Sequence, residues 1–319
     1  MSSIFDESSF NKALKDDDMP RLLGLDCVPT SKDGKQLLTC HDKGNPKVSV
    51  LKLGSFVIYA VSYCAVPTKN GKKVRFGSDD NTFTDFPEML EFPRAAYVVY
   101  VFHKTGELYK TFYGSGHNKF SGIPNEGKTL DEDPEDDNPD AVSEENRELS
   151  SRCEDALKNG DTAVLCNKAN GKTGTLKFIR LGDSVVLIIG SKNRTQIYEF
   201  GTTEQYMSGE FLEPSESLKQ APLIFEMIEV VIAILKAATP EQREALMLNP
   251  NRTYLFEHLD GKHMVPLDDG MQALFFGITV TSNSHKVISE SSVTDQIKEL
   301  QGLGLPTVSN TQISVSELK

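Results

Sequence analysis

The feature that most constrains this chain is a succession of short, β-branched and aromatic segments punctuated by Gly- and Asp-containing turns. Lys47 to Leu53 alternates in polarity, Phe56 to Val66 is rich in Val, Ile and Tyr, and Ala95 to Phe102 reads as a buried strand before the turn at Thr105–Gly106–Glu107. Further on, Thr162 to Asn167, Thr175 to Leu181 and Ser184 to Gly190 have the same character, the last two joined by a Gly182–Asp183 turn. Thr253 to Leu259 and Gln272 to Val280 add two more. Between them, Ser215 to about Met247 turns helical, with Leu223, Met227, Val230, Val231 and Ile234 on one face. A second helix opens at Thr239–Pro240–Glu241–Gln242, where Thr is the N-cap, Pro the first helical residue and Gln completes a capping box. A short helix is expected around Thr294 to Leu300. Helices set among many strands predict an α+β fold, mainly antiparallel sheets with flanking helices.

Residues 1–45 show little periodicity and are expected to form an N-terminal extension with one short helix, ahead of a single domain over 46–319. The net charge of −12 argues at first against a nucleic-acid partner, yet Asp131 to Glu148 alone contributes −9, leaving −3 for the rest. That acidic loop, assigned to 129–148, is expected to be solvated and outside any anion-binding cleft, because like charges resist packing. The five cysteines show no CxxC spacing, so neither a disulfide framework nor a zinc site is indicated. Leu223 to Leu235 is the longest apolar run; Glu226 and Glu229 interrupt it and it is too short for a bilayer, and the first residues lack a basic leader. An intracellular protein, cytoplasmic or nuclear and without a membrane partner, is the expectation.

Chemistry concentrates at Asn167–Lys168–Ala169–Asn170–Gly171, where a strand runs into a Gly-containing turn. A lysine there can project into a cleft and act as a nucleophile once deprotonated, and the glycine lets a phosphate approach the backbone. Three further elements follow in order: Gly190–Ser191–Lys192–Asn193 at the end of a strand, Tyr254–Leu255–Phe256–Glu257, and the apolar strand Ala273 to Ile278. His258 and His263 suggest a metal pair but are read as solvated loop residues, since no third ligand is suitably spaced. Lys172, Lys177 and Arg194 add positive charge nearby.

This ordered set resembles the covalent nucleotidyltransferases, and within them the RNA ligases, whose nucleophile motif is Lys-x-(Asp, His or Asn)-Gly. Upstream, Asn118–Lys119–Phe120 is similar to part of the family's lead-in. The resemblance covers roughly residues 47–278. It implies an ATP-grasp-like nucleotidyltransferase fold of the DNA/RNA ligase type, and an ATP-dependent adenylyltransferase acting with Mg²⁺ on RNA ends in RNA repair. Lys168 is implied as the catalytic lysine that carries AMP. Asn170, Gly171, Lys192, Glu257 and Phe276 are implied to bind the nucleotide, with Lys192 at the phosphates, Glu257 at the ribose and Phe276 in the adenine wall. The metal ligands are not identified. The family's distal Glu-Gly and Lys-x-Lys motifs do not occur after Glu257, so the chain is expected to be truncated relative to the family. Two alternatives follow: a catalytically inactive module that binds nucleotide or RNA ends, and a DNA-ligase or mRNA-capping type of nucleotidyltransferase.

Overall fold

The computed structural model describes residues 5–42, 44–66, 95–116, 171–192, 194–260, 272–281 and 291–314. Short pieces between 68 and 92, between 155 and 166, and at 287–288 are also described. The chain divides into two compact units, Met1–Asn118 with Lys168–Val308, and Lys119–Asn167 with Ser309–Lys319.

The first unit opens with two helices, α1 (Glu7–Asp16) and α2 (Met19–Leu23), each begun by an aspartate whose carboxylate accepts a backbone N–H of the first turn, Asp6 from Ser9 and Asp18 from Arg21. Asp17, between them, takes the left-handed conformation at φ 55°. Strands β1 (Val48–Leu53), β2 (Phe56–Ser62), β3 (Tyr97–His103) and β4 (Leu108–Gly114) then form an antiparallel sheet in the order β4-β3-β2-β1. Residues 1–45 are expected to be an extension, but the part described here packs on this sheet. Phe10, Leu14, Met19, Leu22 and Leu23 share one buried cluster with Val61, Val98, Tyr100 and Phe102.

Strand β5 (Thr162–Cys166) belongs to the second unit. In the first, β6 (Lys172–Leu181), β7 (Ser184–Ser191), β8 (Arg194–Thr202), β9 (Arg252–Leu259), β10 (Gln272–Thr281) and β11 (Val287–Ile288) form the larger antiparallel sheet, ordered β8-β7-β6-β9-β10-β11. The hairpin between β6 and β7 turns at Gly182, whose φ of 61° suits a residue without Cβ. β7 is buried from Val185 to Gly190, because both faces of its sheet are covered. On one face Leu187, Ile189, Phe178 and Phe256 meet the helix Pro222–Ala237. On the other face Ile179, Val186, Ile188 and Ile197 meet Ile58, Tyr97, Val99, Val101 and Phe112 of the smaller sheet. Each such aliphatic side chain contributes roughly 1.5–3 kcal/mol on burial. Ser49 fastens the two sheets at their edges: its hydroxyl donates to Gln196 Oε1 (2.8 Å) and accepts from the Ile197 N–H (3.3 Å).

Between β8 and β9 lie α3 (Thr203–Ser208), α4 (Glu216–Lys219), α5 (Pro222–Ala237) and α6 (Pro240–Met247). α6 begins as its Thr-Pro-Glu-Gln opening predicts: Thr239 Oγ1 accepts from Gln242 N–H (3.3 Å) and Gln242 Oε1 from Thr239 N–H (2.9 Å). Arg243 is buried and donates to the carbonyls of Met207, Leu235 and Ala238, which locks α3, α5 and α6 together. α7 (Val293–Gly302) packs beside β10, and the following segment runs along it, with Phe275 N–H donating to Pro306 O (2.7 Å) and Val308 N–H to Phe275 O (3.0 Å). In the second unit β12 (Asn310–Ser314) pairs antiparallel with β5, from Thr162 opposite Ser314 to Cys166 opposite Asn310. The acidic loop 129–148 lies outside the described residues. Among the described residues no helix is long and apolar enough to cross a membrane.

Candidate functional site

One end of the larger sheet gathers several of the residues singled out by sequence. β6 begins there, β7 and β9 finish there and β10 starts there, because Lys172 pairs with His258, Gly174 with Ser191, and Leu259 with Gln272. Directly paired residues of antiparallel strands project to the same face. Thr173 and Glu257 are such a pair, and Thr173 Oγ1 donates to Glu257 Oε1 at 3.1 Å. Their face is the one shared with Ile179 and turned toward the smaller sheet, since side chains alternate along β6. Glu257 is half-buried.

Gly171 explains itself at this end. A Cβ on it would stand 2.4 Å from the His258 carbonyl oxygen and 2.8 Å from Leu259 Cδ2, so only glycine lets the chain enter β6 this close to β9. Lys192 follows β7 directly, where Ser191 pairs with Arg194 of β8, and its side chain is exposed. Phe276 is the extra residue of a β-bulge in β10: Leu255 pairs with Gly277 and Phe256 with Phe275, leaving Phe276 between them and half-buried. Lys168 and Asn170, like His263 and Lys119, lie outside the described residues.

No match to this chain is found among protein-family models, curated proteins or solved structures. The site is therefore read from its own geometry.

Three basic or titratable side chains near it behave differently from their sequence reading. Lys177 does not offer charge to a ligand. It is fully buried, its ammonium nitrogen donates to the carbonyls of Pro250 (2.7 Å) and Arg252 (2.9 Å), and burial pulls its pKa down to about 7. It ties the turn after α6 to β6. Lys172 is held by Asp260, Nζ to Oδ2 2.9 Å, with that carboxylate almost wholly buried. His258 is not in a solvated loop: it is 1% exposed, faces the helices, and its Nε2 lies 3.5 Å from Glu226 Oε2 of α5. Burial lowers its pKa below the ordinary imidazole value, although Glu226 pulls the other way.

The resulting constellation is a half-buried carboxylate oriented by a hydroxyl, a cation on a hairpin loop, a side-chain-free entry at Gly171 and a half-exposed aromatic on a bulge. Such a set can accept hydrogen bonds from vicinal hydroxyls, draw an anion and cover a flat apolar ring. Thr173 was not singled out from sequence. Its only signal there is its position two residues past Gly171, and its role follows from the β6–β9 register.

Proposed function

We propose that the chain is an ATP-dependent RNA-ligase-like adenylyltransferase that forms a lysyl-AMP intermediate and transfers AMP to a 5′-phosphorylated RNA end. The observation that carries this reading is the strand-end cluster: Gly171 against the His258 carbonyl, Thr173 bonded to Glu257, and the Lys192 loop at the same end of the sheet. Of these, Gly171, Lys192 and Glu257 are residues at which the Lys-x-Asn-Gly resemblance expects a nucleotide. Gly171 is three residues beyond Lys168 in sequence, so at most about 10 Å of extended chain separates the proposed nucleophile from this cluster.

In this reading the Lys168 amine attacks the α-phosphorus of ATP, a P–N bond forms and pyrophosphate leaves. The 5′-phosphate of an RNA then attacks the same phosphorus and releases Lys168. A 3′-hydroxyl finally displaces AMP to seal the strand. Glu257, oriented by Thr173, accepts hydrogen bonds from the ribose hydroxyls, and Lys192 stabilises the negative charge that develops on the phosphates. Mg²⁺ would neutralise phosphate charge when bound. Phe276 supplies an apolar wall for the base.

The experiment is incubation with Mg²⁺ and ATP labelled at the α-phosphate, followed by denaturation. Label retained by the protein and lost in Lys168→Ala supports the reading. A second reading is a module that binds nucleotide or RNA ends without transfer. Glu257-dependent ATP binding without label would select it.

A further inference from the structure

A second cluster, away from the strand-end site, brings three metal-ligating side chains together in the N-terminal part of the first unit. Asp17 sits at the left-handed junction of α1 and α2 and turns its carboxylate toward Thr39–Cys40–His41. Its Oδ1 accepts from the Cys40 N–H (2.8 Å) and from Cys40 Sγ (3.1 Å), and its Oδ2 accepts from Thr39 Oγ1 (2.6 Å). Potential donor atoms of Asp17, Cys40 and His41 all lie within 4.8 Å of one another. We propose that Asp17, Cys40 and His41 form a binding site for a divalent transition-metal ion of the Zn²⁺ class, which clamps the α1–α2 junction to the segment entering the smaller sheet.

The arrangement around the donors points to a ligand beyond the internal hydrogen bonds. His41 Nε2 lies 2.8 Å from the Leu14 carbonyl, which can only accept, so this nitrogen donates and Nδ1 is the ring atom that a metal would use. A histidine that donates one ring N–H to a backbone carbonyl is the usual outer-shell support of a metal-binding imidazole, and Thr39 supplies the matching support to the carboxylate. Thiolate, imidazole and carboxylate are the ordinary zinc donors. Tetrahedral bonds of about 2.0–2.3 Å place donors roughly 3.3–3.8 Å apart. Cys40 Sγ and Asp17 Oδ1, at 3.1 Å, would need to part by only a few tenths of an ångström to reach it.

Cys40 is fully buried and its Sγ stands 3.1 Å from Asp17 Oδ1, so the sulfur and the carboxylate face one another away from solvent. Among the described cations, Lys47 is near, with its backbone N–H on Cys40 O (2.7 Å), but its ammonium nitrogen is directed to Cys64 Sγ (3.1 Å). A dication would take the place of the thiol proton between the sulfur and the carboxylate. The binding step is Cys40–SH + M²⁺ → Cys40–S–M⁺ + H⁺, with Asp17 and neutral His41 as the other protein ligands and water in the remaining position. Sequence spacing hides this site, because Asp17 and Cys40 are 23 residues apart and only one cysteine takes part.

The test is titration of the purified full chain with Co²⁺, which reports thiolate ligation as near-ultraviolet charge-transfer absorption and tetrahedral geometry as visible bands. One equivalent should bind with both signals, Zn²⁺ should displace it, and about one proton per ion should be released. Cys40→Ser should abolish the charge-transfer band, and Asp17→Asn and His41→Gln should each weaken binding more than about tenfold. Absence of the band in the unaltered protein overturns the proposal, as does a band that survives in Cys40→Ser, which would place the metal on another cysteine. If Cys40→Ser does not fold, the half-buried His41→Gln decides, since its amide can still donate to Leu14 O. Unchanged Co²⁺ affinity in that variant refutes the site.

Discussion

Thr173 and Glu257 stand directly opposite each other on β6 and β9, and the threonine hydroxyl donates to the glutamate at 3.1 Å. This bond fixes one carboxylate oxygen on the face turned toward the smaller sheet. If the glutamate holds a ribose, Glu257→Gln should reduce ATP affinity by about 1.5–3 kcal/mol, roughly ten- to a hundredfold, and Thr173→Val by about 1 kcal/mol. Calorimetric titration of the folded variants checks both. Equal affinity in all three proteins would remove the ribose from Glu257.

Gly171→Ala places a methyl group 2.4 Å from a backbone oxygen, which cannot rotate away. The start of β6 must move off β9. The expected result is a loss of about 1–3 kcal/mol in stability together with weaker nucleotide binding, read by denaturant unfolding and by titration. Unchanged values would mean that the chain enters β6 by another path.

Lys177 makes a pH-dependent contribution whose sign can be worked out. Its folded-state pKa of about 7 lies below the unfolded value of 10.5, so between these values the unfolded chain binds a proton that the folded chain does not. Stability from this group therefore rises with pH across that window, by about 1.4 kcal/mol per unit, and is flat below it. Lys177→Met leaves the Pro250 and Arg252 carbonyls without their donor, so it should be destabilising by about 1–3 kcal/mol at pH 9 and less so, or not at all, at pH 6. Denaturant unfolding at the two pH values measures the difference. A gap independent of pH would show that Lys177 stays charged when buried.

The strands of both sheets were largely legible, because β-branched runs broken by glycine turns have few other solutions, and the Thr239–Gln242 capping box declared its helix outright. β8 was not read: Gln196 and Glu199 break its apolar pattern, although Ile197, Tyr198 and Phe200 are buried. The environments of single side chains were the least legible. Lys177 and His258 looked like surface residues, yet one ends on two carbonyls beyond α6 and the other on a glutamate of α5, and neither partner is near in sequence. At the candidate site the types of residue were readable, while their common end of the sheet depended on the register between β6, β7 and β9. Asp17, Cys40 and His41 carried no motif, since a helix junction brings the aspartate to the pair.

The central claim is that Lys168 takes AMP from ATP. The most direct measurement is the transfer of label from the α-phosphate of ATP to the protein in the presence of Mg²⁺, read after denaturation, for the unaltered chain and for Lys168→Ala and Glu257→Ala. A phosphoramidate survives denaturation and bound ATP does not. The account predicts label on the unaltered chain, none on Lys168→Ala, and at least about tenfold less on Glu257→Ala at limiting ATP. Label of equal strength on Lys168→Ala, or no label at any ATP concentration, would contradict it.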